Sequence, residues 1–432
     1  MIAAFLLVSF AVFLLMGMPI AIGLTLAGLL SIGFANADSS WFGLMAVPQN
    51  FYSSIAKYPL LALPMFVLVG SIFDRSGVAQ RMVNFAVACL GRGPGMLPTV
   101  AILVAMLLGG ISGSGPATAA AVGAVMIAAM ARAGYPAPFS ATVVGAAAAT
   151  DILIPPSIAF VVYSVLVPGA SVPALFAAGM IPGLMAGLAL IVPTILLSRK
   201  HGFGQAERAL PRPPFWASLR EASWGLAAPL LILGGMRLGL FTPTEAAVVA
   251  VAYGLFVGMV VHRTIGWRDL YPIFREAADI SAVIMLILGA AGVFSYALNT
   301  LGVADPIAQW VKAAGLGSLG TLALVLVALL VVSMFIDGVS IFLIFVPLLY
   351  PVAQAFQWNL VWLGVLFTLV VAKAQFTPPM AINLMVSCRL AGVTVESTVP
   401  WVLWFIVSFL VVIAAVFFFP GLALWLPQRL GY

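Results

Sequence analysis

Ser112, Ser114 and Thr118 fall within one run, GGISGSGPATAAAVG (109–123), and Thr150, Asp151 and Ser157 fall in TDILIPPS (150–157). Hydroxyls, a carboxylate and the carbonyls of a glycine-rich turn are hard oxygen ligands, suited to a small hard cation. Amides freed where a helix begins suit an anion instead. A second set stands far along the chain: Asp337 with Gly338, then Lys373, Gln375, Thr377 and Asn383. Cys89 and Cys388 are the only cysteines and have no metal-ligand spacing. Ser114 in Gly113-Ser114-Gly115 invites a nucleophilic reading, but a serine nucleophile needs a base within hydrogen-bond reach. The two histidines, His201 and His262, fall in loops. The expectation is a binding and transport site, not an enzyme.

The elements that carry these residues are interrupted apolar segments. The chain has 432 residues, 64% of them hydrophobic and 7% charged, against roughly 25% charged in a soluble domain. This composition predicts an all-α polytopic membrane protein. Its surplus of basic residues needs no nucleic-acid partner. A span that stops midway at Gly, Ser and Pro leaves backbone groups that hydrocarbon cannot satisfy, so it must be buried in protein or line a polar cavity. A re-entrant hairpin is expected over 98–132 and a broken crossing over 136–167, interrupted between Thr150 and Pro156. A second hairpin is expected over 319–355 and a second broken crossing over 358–391.

The two sets are copies. An offset of 223 residues carries Gly115 to Gly338, Pro155 to Pro378, Pro156 to Pro379 and Gly169 to Gly392. Residues 1–198 and 224–432 are read as two repeats joined by a polar linker, 199–223. Each has five crossings and one hairpin; an odd number of crossings makes the repeats inverted. With the linker cytoplasmic, thirteen of the 18 Lys and Arg lie on its side, as the positive-inside rule requires, and the C-terminus is periplasmic. Two short helices or one bent helix are expected over 2–34, a surface helix over 77–91 and another from Asp305. A single last crossing is expected over 399–426. In this arrangement two tips and two breaks bring four helix N-termini and four C-termini to one depth.

GGISGSGPATAAAVG, IPPSIAFVVY, FTPTEAA (241–247), FIDG (335–338) and TPPMAINL (377–384), in this order along nearly the whole chain, resemble the large membrane subunit of TRAP transporters, the tripartite ATP-independent periplasmic type. The resemblance implies sodium-driven uptake of an organic-acid anion across a bacterial inner membrane by an elevator movement, with no organic cofactor. It implies a periplasmic binding protein and a small four-helix membrane subunit as partners. The small subunit is expected as a separate chain, because this one starts at the large subunit's first helix and stops after its last. A stand-alone sodium- or proton-coupled carboxylate carrier of related architecture is the alternative.

The resemblance, carried over by position, implies Ser112 to Pro116 and Asp151 to Pro156 for the first tip and break, and Asp337 with Gly338 and Gln375 to Pro379 for the second. With the residue types beside them, the candidates for the ion are Ser112, Gly113, Ser114, Thr150, Asp151, Asp337, Gly338, Gln375 and Thr377, and for the substrate Ser114, Gly115, Pro116, Thr118, Asp151, Pro156, Ser157, Lys373, Thr377, Pro379 and Asn383. The chain departs from the family at Asp151, usually Gly, and at Lys373, usually apolar or neutral. A lone charge at mid-bilayer costs roughly 2.5–3.5 kcal/mol on insertion scales. The two are therefore expected either to form a fixed pair or to flank the cavity, with Lys373 attracting a carboxylate or replacing a cation. Asp337 is expected to cap the second tip or to hold the cation. Glu245 is expected to be a structural residue at a helix start.

Overall fold

The computed structural model describes residues 2–35, 42–90, 93–209, 212–302, 315–336 and 338–432, and these form helices with no strand among them. Asp337 and the surface segment expected from Asp305 lie outside the described residues.

Helices α1 (Ile2–Leu15) and α2 (Ile20–Ala35) are separate, parted around Gly17 and Pro19. The Phe5 and Phe34 rings meet edge to face at 5.1 Å, so the start of α1 lies beside the end of α2. α3 (Phe42–Ile55), α4 (Ala62–Arg75) and α5 (Val78–Cys89) follow. α5 buries Val78, Met82, Val83 and Ala86.

The first hairpin is α6 (Met96–Ser112) and α7 (Gly115–Arg132), and the first broken crossing is α8 (Ala137–Ala148) and α9 (Ile158–Leu166). α6 stops because Gly113 takes φ +60°, a left-handed conformation that glycine adopts without a Cβ penalty. α7 restarts two residues later with Pro116 in its first turn, where the missing proline N–H costs no bond. α8 ends before the Pro155–Pro156 pair, and Ser157 starts α9 by accepting the Phe160 N–H on its hydroxyl. α10 (Val172–Lys200) then runs unbroken.

α11 (Phe215–Arg237) begins inside the stretch read as linker, and α12 (Pro243–Phe256) continues as a π-turn to Val261. Glu245 closes a capping box: its carboxylate accepts the Thr242 N–H at 2.8 Å while the Thr242 hydroxyl accepts the Glu245 N–H. That bears out the structural reading of Glu245. α13 (Trp267–Thr300) starts ten residues before the apolar span that hydropathy marks. Its opening turns carry Arg268, Asp269, Arg275, Glu276 and Asp279, and Asp269 holds the start by accepting the Gly266 N–H at 2.8 Å.

The element order of the first half then recurs. α14 (Gly317–Val332) and α15 (Gly338–Ala355) stand in the place of the second hairpin, and α16 (Leu360–Ala374) and α17 (Ile382–Ala391) in that of the second broken crossing. The expected last crossing over 399–426 is divided at Phe419 and Pro420 into α18 (Val399–Phe418) and α19 (Gly421–Leu430), since a proline there cannot supply the amide that would continue the ladder. Six of the described helices or joined helical segments are long and apolar enough to cross a membrane, including α7, α10 and α13.

The halves exchange helices. α17, after the second break, packs against α7 and α8, while α9, after the first break, packs against α15 and α16. Each hairpin is therefore braced by the broken crossing of the other half. α13 packs against α2, α3 and α4 of the first half and against α15.

Candidate functional site: a cavity ringed by helix starts

A cavity of about 770 Å³, open mouth included, lies where the two halves meet. Gly113, Ser114, Gly115 and Pro116 of the first tip form one side, and Gly338, Val371, Gln375 and Ile382 of the second half form the facing side. Gly115, Ile158, Gly338 and Ile382 are the first residues of α7, α9, α15 and α17, and all four line this space. Each start presents N–H groups without an intrahelical partner and the positive end of a helix dipole. Four of them give this cavity positive potential, with the Ser114 hydroxyl and the Gln375 amide beside them.

The remaining walls are apolar. Ile280 and Ile284 of α13 and Phe342 of α15 line the same space. Residue reading did not pick out the two isoleucines, because an isoleucine on a long apolar helix carries no signal separating a cavity wall from a lipid face. The only sequence cue is that α13 carries charge one turn earlier, at Glu276. There Arg75 Nη2 meets Glu276 Oε2 at 2.8 Å, tying α4 to α13 across half-exposed side chains.

Behind the first tip sits Asp151, fully buried. Its Oδ2 accepts the Ser112 hydroxyl at 3.0 Å and the Thr118 hydroxyl at 2.9 Å, and those two hydroxyls are themselves 3.0 Å apart. The backbone N–H groups of Gly113 and Ser114 lie near the carboxylate, yet Oδ1 makes no hydrogen bond of ordinary geometry. A buried carboxylate with one open oxygen, flanked by two hydroxyl oxygens, is a donor set for a hard cation. Among the described residues no group of three or more His, Cys, Asp or Glu gathers.

The second tip is built from amides. Asn383 is fully buried; its Nδ2 donates to Gln375 Oε1 at 2.8 Å and its backbone N–H to the Gln375 carbonyl at 2.9 Å. This pair stands directly against the first half. A Cβ added at Gly115 would collide with Gln375 Oε1 and lie 2.7–2.8 Å from the Asn383 amide atoms. Glycine is thus required at the first residue of α7 because a side-chain pair from the other half occupies its space.

Asp151 and Lys373 do not pair. Asp151 turns to the two hydroxyls, and Lys373 Nζ donates to the Leu330 carbonyl at 3.1 Å. Leu330 lies in the last turn of α14, where exposed carbonyls and the negative dipole end favour a cation. The expectation of a fixed pair is corrected: each charge is held by the tip of its own half, and Lys373 is not among the cavity-lining residues. Other expected residues serve the backbone. The Thr150 hydroxyl donates to the Ala147 carbonyl at 2.8 Å, that of Thr377 to the Lys373 carbonyl at 2.6 Å, and that of Ser157 to the Ile152 carbonyl at 2.5 Å. The Pro156 carbonyl lies against Gly113, and Pro379 is exposed away from the cavity lining. Asp337 lies outside the described residues.

A family model described as tripartite ATP-independent periplasmic transporter, DctM component, matches residues 7–422. The chain is 36% identical, over 94% of its own length and 94% of the relative's, to the C4-dicarboxylate TRAP transporter large permease protein DctM of Pseudomonas aeruginosa. It is 34% identical to the sialic acid TRAP transporter large permease protein SiaM of Vibrio cholerae, over 96% of each. It is 35% identical to the isethionate TRAP transporter permease protein DctMQ of Oleidesulfovibrio alaskensis, over 96% of this chain and 65% of that protein.

Proposed function

The chain belongs to the DctM component family of the tripartite ATP-independent periplasmic transporters, and from that premise we propose that it is the large permease subunit of a sodium-coupled importer of an organic-acid anion. It works in the inner membrane with a periplasmic binding protein and a small membrane subunit. The relatives are named for a C4-dicarboxylate, sialic acid and isethionate, all anionic at neutral pH. They differ in size and in carbon skeleton, so the shared requirement on the membrane site is an acidic group.

The convergence of four helix starts on one cavity carries this reading. The acidic group accepts hydrogen bonds from N–H groups at the starts of α7 and α15, from the Ser114 hydroxyl and from the Gln375 side-chain amide. Sodium sits behind the first tip, on Asp151 with Ser112 and Thr118. Its charge offsets the buried carboxylate and closes the tip from which Ser114 and Gly115 project, so ion binding favours anion binding.

The repeats are inverted, and the two hairpins with the two broken crossings move as one body. The apolar face of α13 at Ile280 and Ile284 supports this reading. A wall that makes no hydrogen bond to the cargo can be slid past without breaking one. All polar holders lie on the exchanged hairpin and crossing elements, which brace each other.

Purified chain, reconstituted in liposomes with its small subunit and loaded binding protein, is expected to take up labelled organic acid only under an inward sodium gradient. Uptake equal without sodium would overturn the coupling. Uptake equal without the binding protein would favour a stand-alone carrier.

A further inference from the structure

A second cavity lies along the same helices and has a different chemistry. Its lining includes Ser54, Lys57, Ser295, Asn299 and Tyr350, a set of polar side chains around one ammonium. Ser54 and Lys57 come from the end of α3 and the turn after it, Ser295 and Asn299 from the last turns of α13, and Tyr350 from the second half of α15.

Its position relative to the first cavity follows from three helices that line both. On α13 the lining passes from Ile280 and Ile284 to Leu288, Ser295 and Asn299. On α9 it passes from Ile158 and Val162 to Val165, and on α15 from Phe342 to Pro347 and Tyr350. At 1.5 Å per residue the two spaces follow one another within about 10–15 Å along a single seam. The second space lies at the end of α13 opposite its charged opening turns, hence on the side away from the basic linker.

Lys57 is fixed at this opening. Its Nζ donates to the Val165 carbonyl at 2.7 Å, next to the C-terminal end of α9. One donor is used there, and an ammonium has three. The Tyr350 hydroxyl accepts from Gln354 Nε2 at 2.9 Å, which leaves the phenolic proton to donate. The Ser54 hydroxyl already donates to the Asn50 carbonyl at 2.8 Å; the Ser295 and Tyr350 hydroxyls, the Asn299 amide and the ammonium, with no carboxylate among the described lining residues, are a set of donors for an anion.

We propose that this second cavity is a vestibule that receives the carboxylate before the central cavity does, with Lys57 as the residue that draws the anion into the seam. The inference rests on reading the central cavity as an anion site. It adds a site on the outer side, ahead of the helix-start ring. The anion exchanges the solvated, electropositive vestibule for the dry N–H ring as the seam opens, and the apolar stretch at Leu288 and Phe342 separates the two stations.

Thiol-reactive methanethiosulfonates of opposite charge test this without relying on transport. Asn299→Cys and, separately, Ser295→Cys are made in a full-length chain carrying Cys89→Ser and Cys388→Ser, in membranes. The sulfonate-bearing reagent is expected to react faster relative to the trimethylammonium-bearing one than at an exposed control position on the same surface. Lys57→Gln lowers that ratio by about three- to tenfold, the range for one charge several ångströms away in a partly screened setting, and Lys57→Arg preserves it. A ratio equal to the control's, or unchanged by Lys57→Gln at both cysteine positions, overturns the vestibule. Neither outcome depends on uptake, so a failure of the importer reading, seen as wild-type liposomes without sodium-driven uptake, is separately visible.

Discussion

The two tips occupy corresponding places 223 residues apart and differ in the side chains described at each. The first buries a carboxylate, Asp151, under two hydroxyls; the second holds a neutral amide pair, half-buried Gln375 and buried Asn383, and sends Lys373, the nearby charge among the described residues, back to a helix end. Both are built on the same backbone device, a helix that stops and another that starts. The starts supply positive potential twice over, so the proposed anion site is shared between the halves. Among the described residues a buried carboxylate stands at the first tip, so the proposed sodium site is placed there. A duplicated frame thus supplies the symmetric function, while unequal side chains make the asymmetric one.

The comparison breaks most severely where the tips touch. Gly115→Ala places a methyl on Gln375 and Asn383, an overpacking on the order of 1–3 kcal/mol. Uptake should fall by about tenfold or more, with protein level and thermal stability measured alongside. Asp151→Asn keeps the shape of the first tip and removes its charge. Hydrogen bonds to a charged group contribute about 1.5–3 kcal/mol, so the half-saturating sodium concentration should rise by about tenfold, and high sodium should restore part of the rate. Thr377→Ala, in the second half, should leave the sodium dependence where it was. Equal effects of these two substitutions would dissolve the asymmetry.

Asn383→Ala removes the partner of Gln375 and should lower stability by about 1–3 kcal/mol, read as a drop in Tm, with a several-fold loss of uptake. Lys373→Met sharpens the contrast from the other side. Because the ammonium serves the α14 terminus and is not among the cavity's lining residues, the half-saturating substrate concentration should stay within about twofold of wild type, under tenfold being less than about 1.4 kcal/mol. The smallest effect is expected at the half-exposed Arg75–Glu276 bridge. Glu276→Gln should cost under about 1 kcal/mol.

Much of this arrangement is legible in the residues. Gly113 ends α6, Pro116 opens α7, and the Pro155–Pro156 and Pro378–Pro379 pairs interrupt their crossings, because these are local consequences of a missing Cβ or a missing N–H. The pairing of Asp151 with Ser112 and Thr118 is not local. It depends on how the first broken crossing lies against the first hairpin, and the sequence offered Lys373 as an equally charged and equally buried alternative. Lys373 goes elsewhere because its long stem reaches the carbonyl end of α14, a partner of the backbone that no residue type advertises. The same holds for Ile280 and Ile284, whose role is set by the packing of α13. The start of α13 at Trp267 escapes a hydropathy reading because its opening turns are amphipathic and charged, so the apolar signal begins too late. The vestibule is likewise a product of packing, since Lys57 and Asn299 lie 242 residues apart.

The most direct measurement is a cryo-EM map of the reconstituted complex with the transported acid and sodium. The acidic group is expected within hydrogen-bond reach of the Gly115 backbone N–H, the Ser114 hydroxyl and the Gln375 side chain, with the ion against Asp151. An acid resolved on the lipid-facing side of α13, or bound with its acidic group turned away from all four helix starts, would contradict the account.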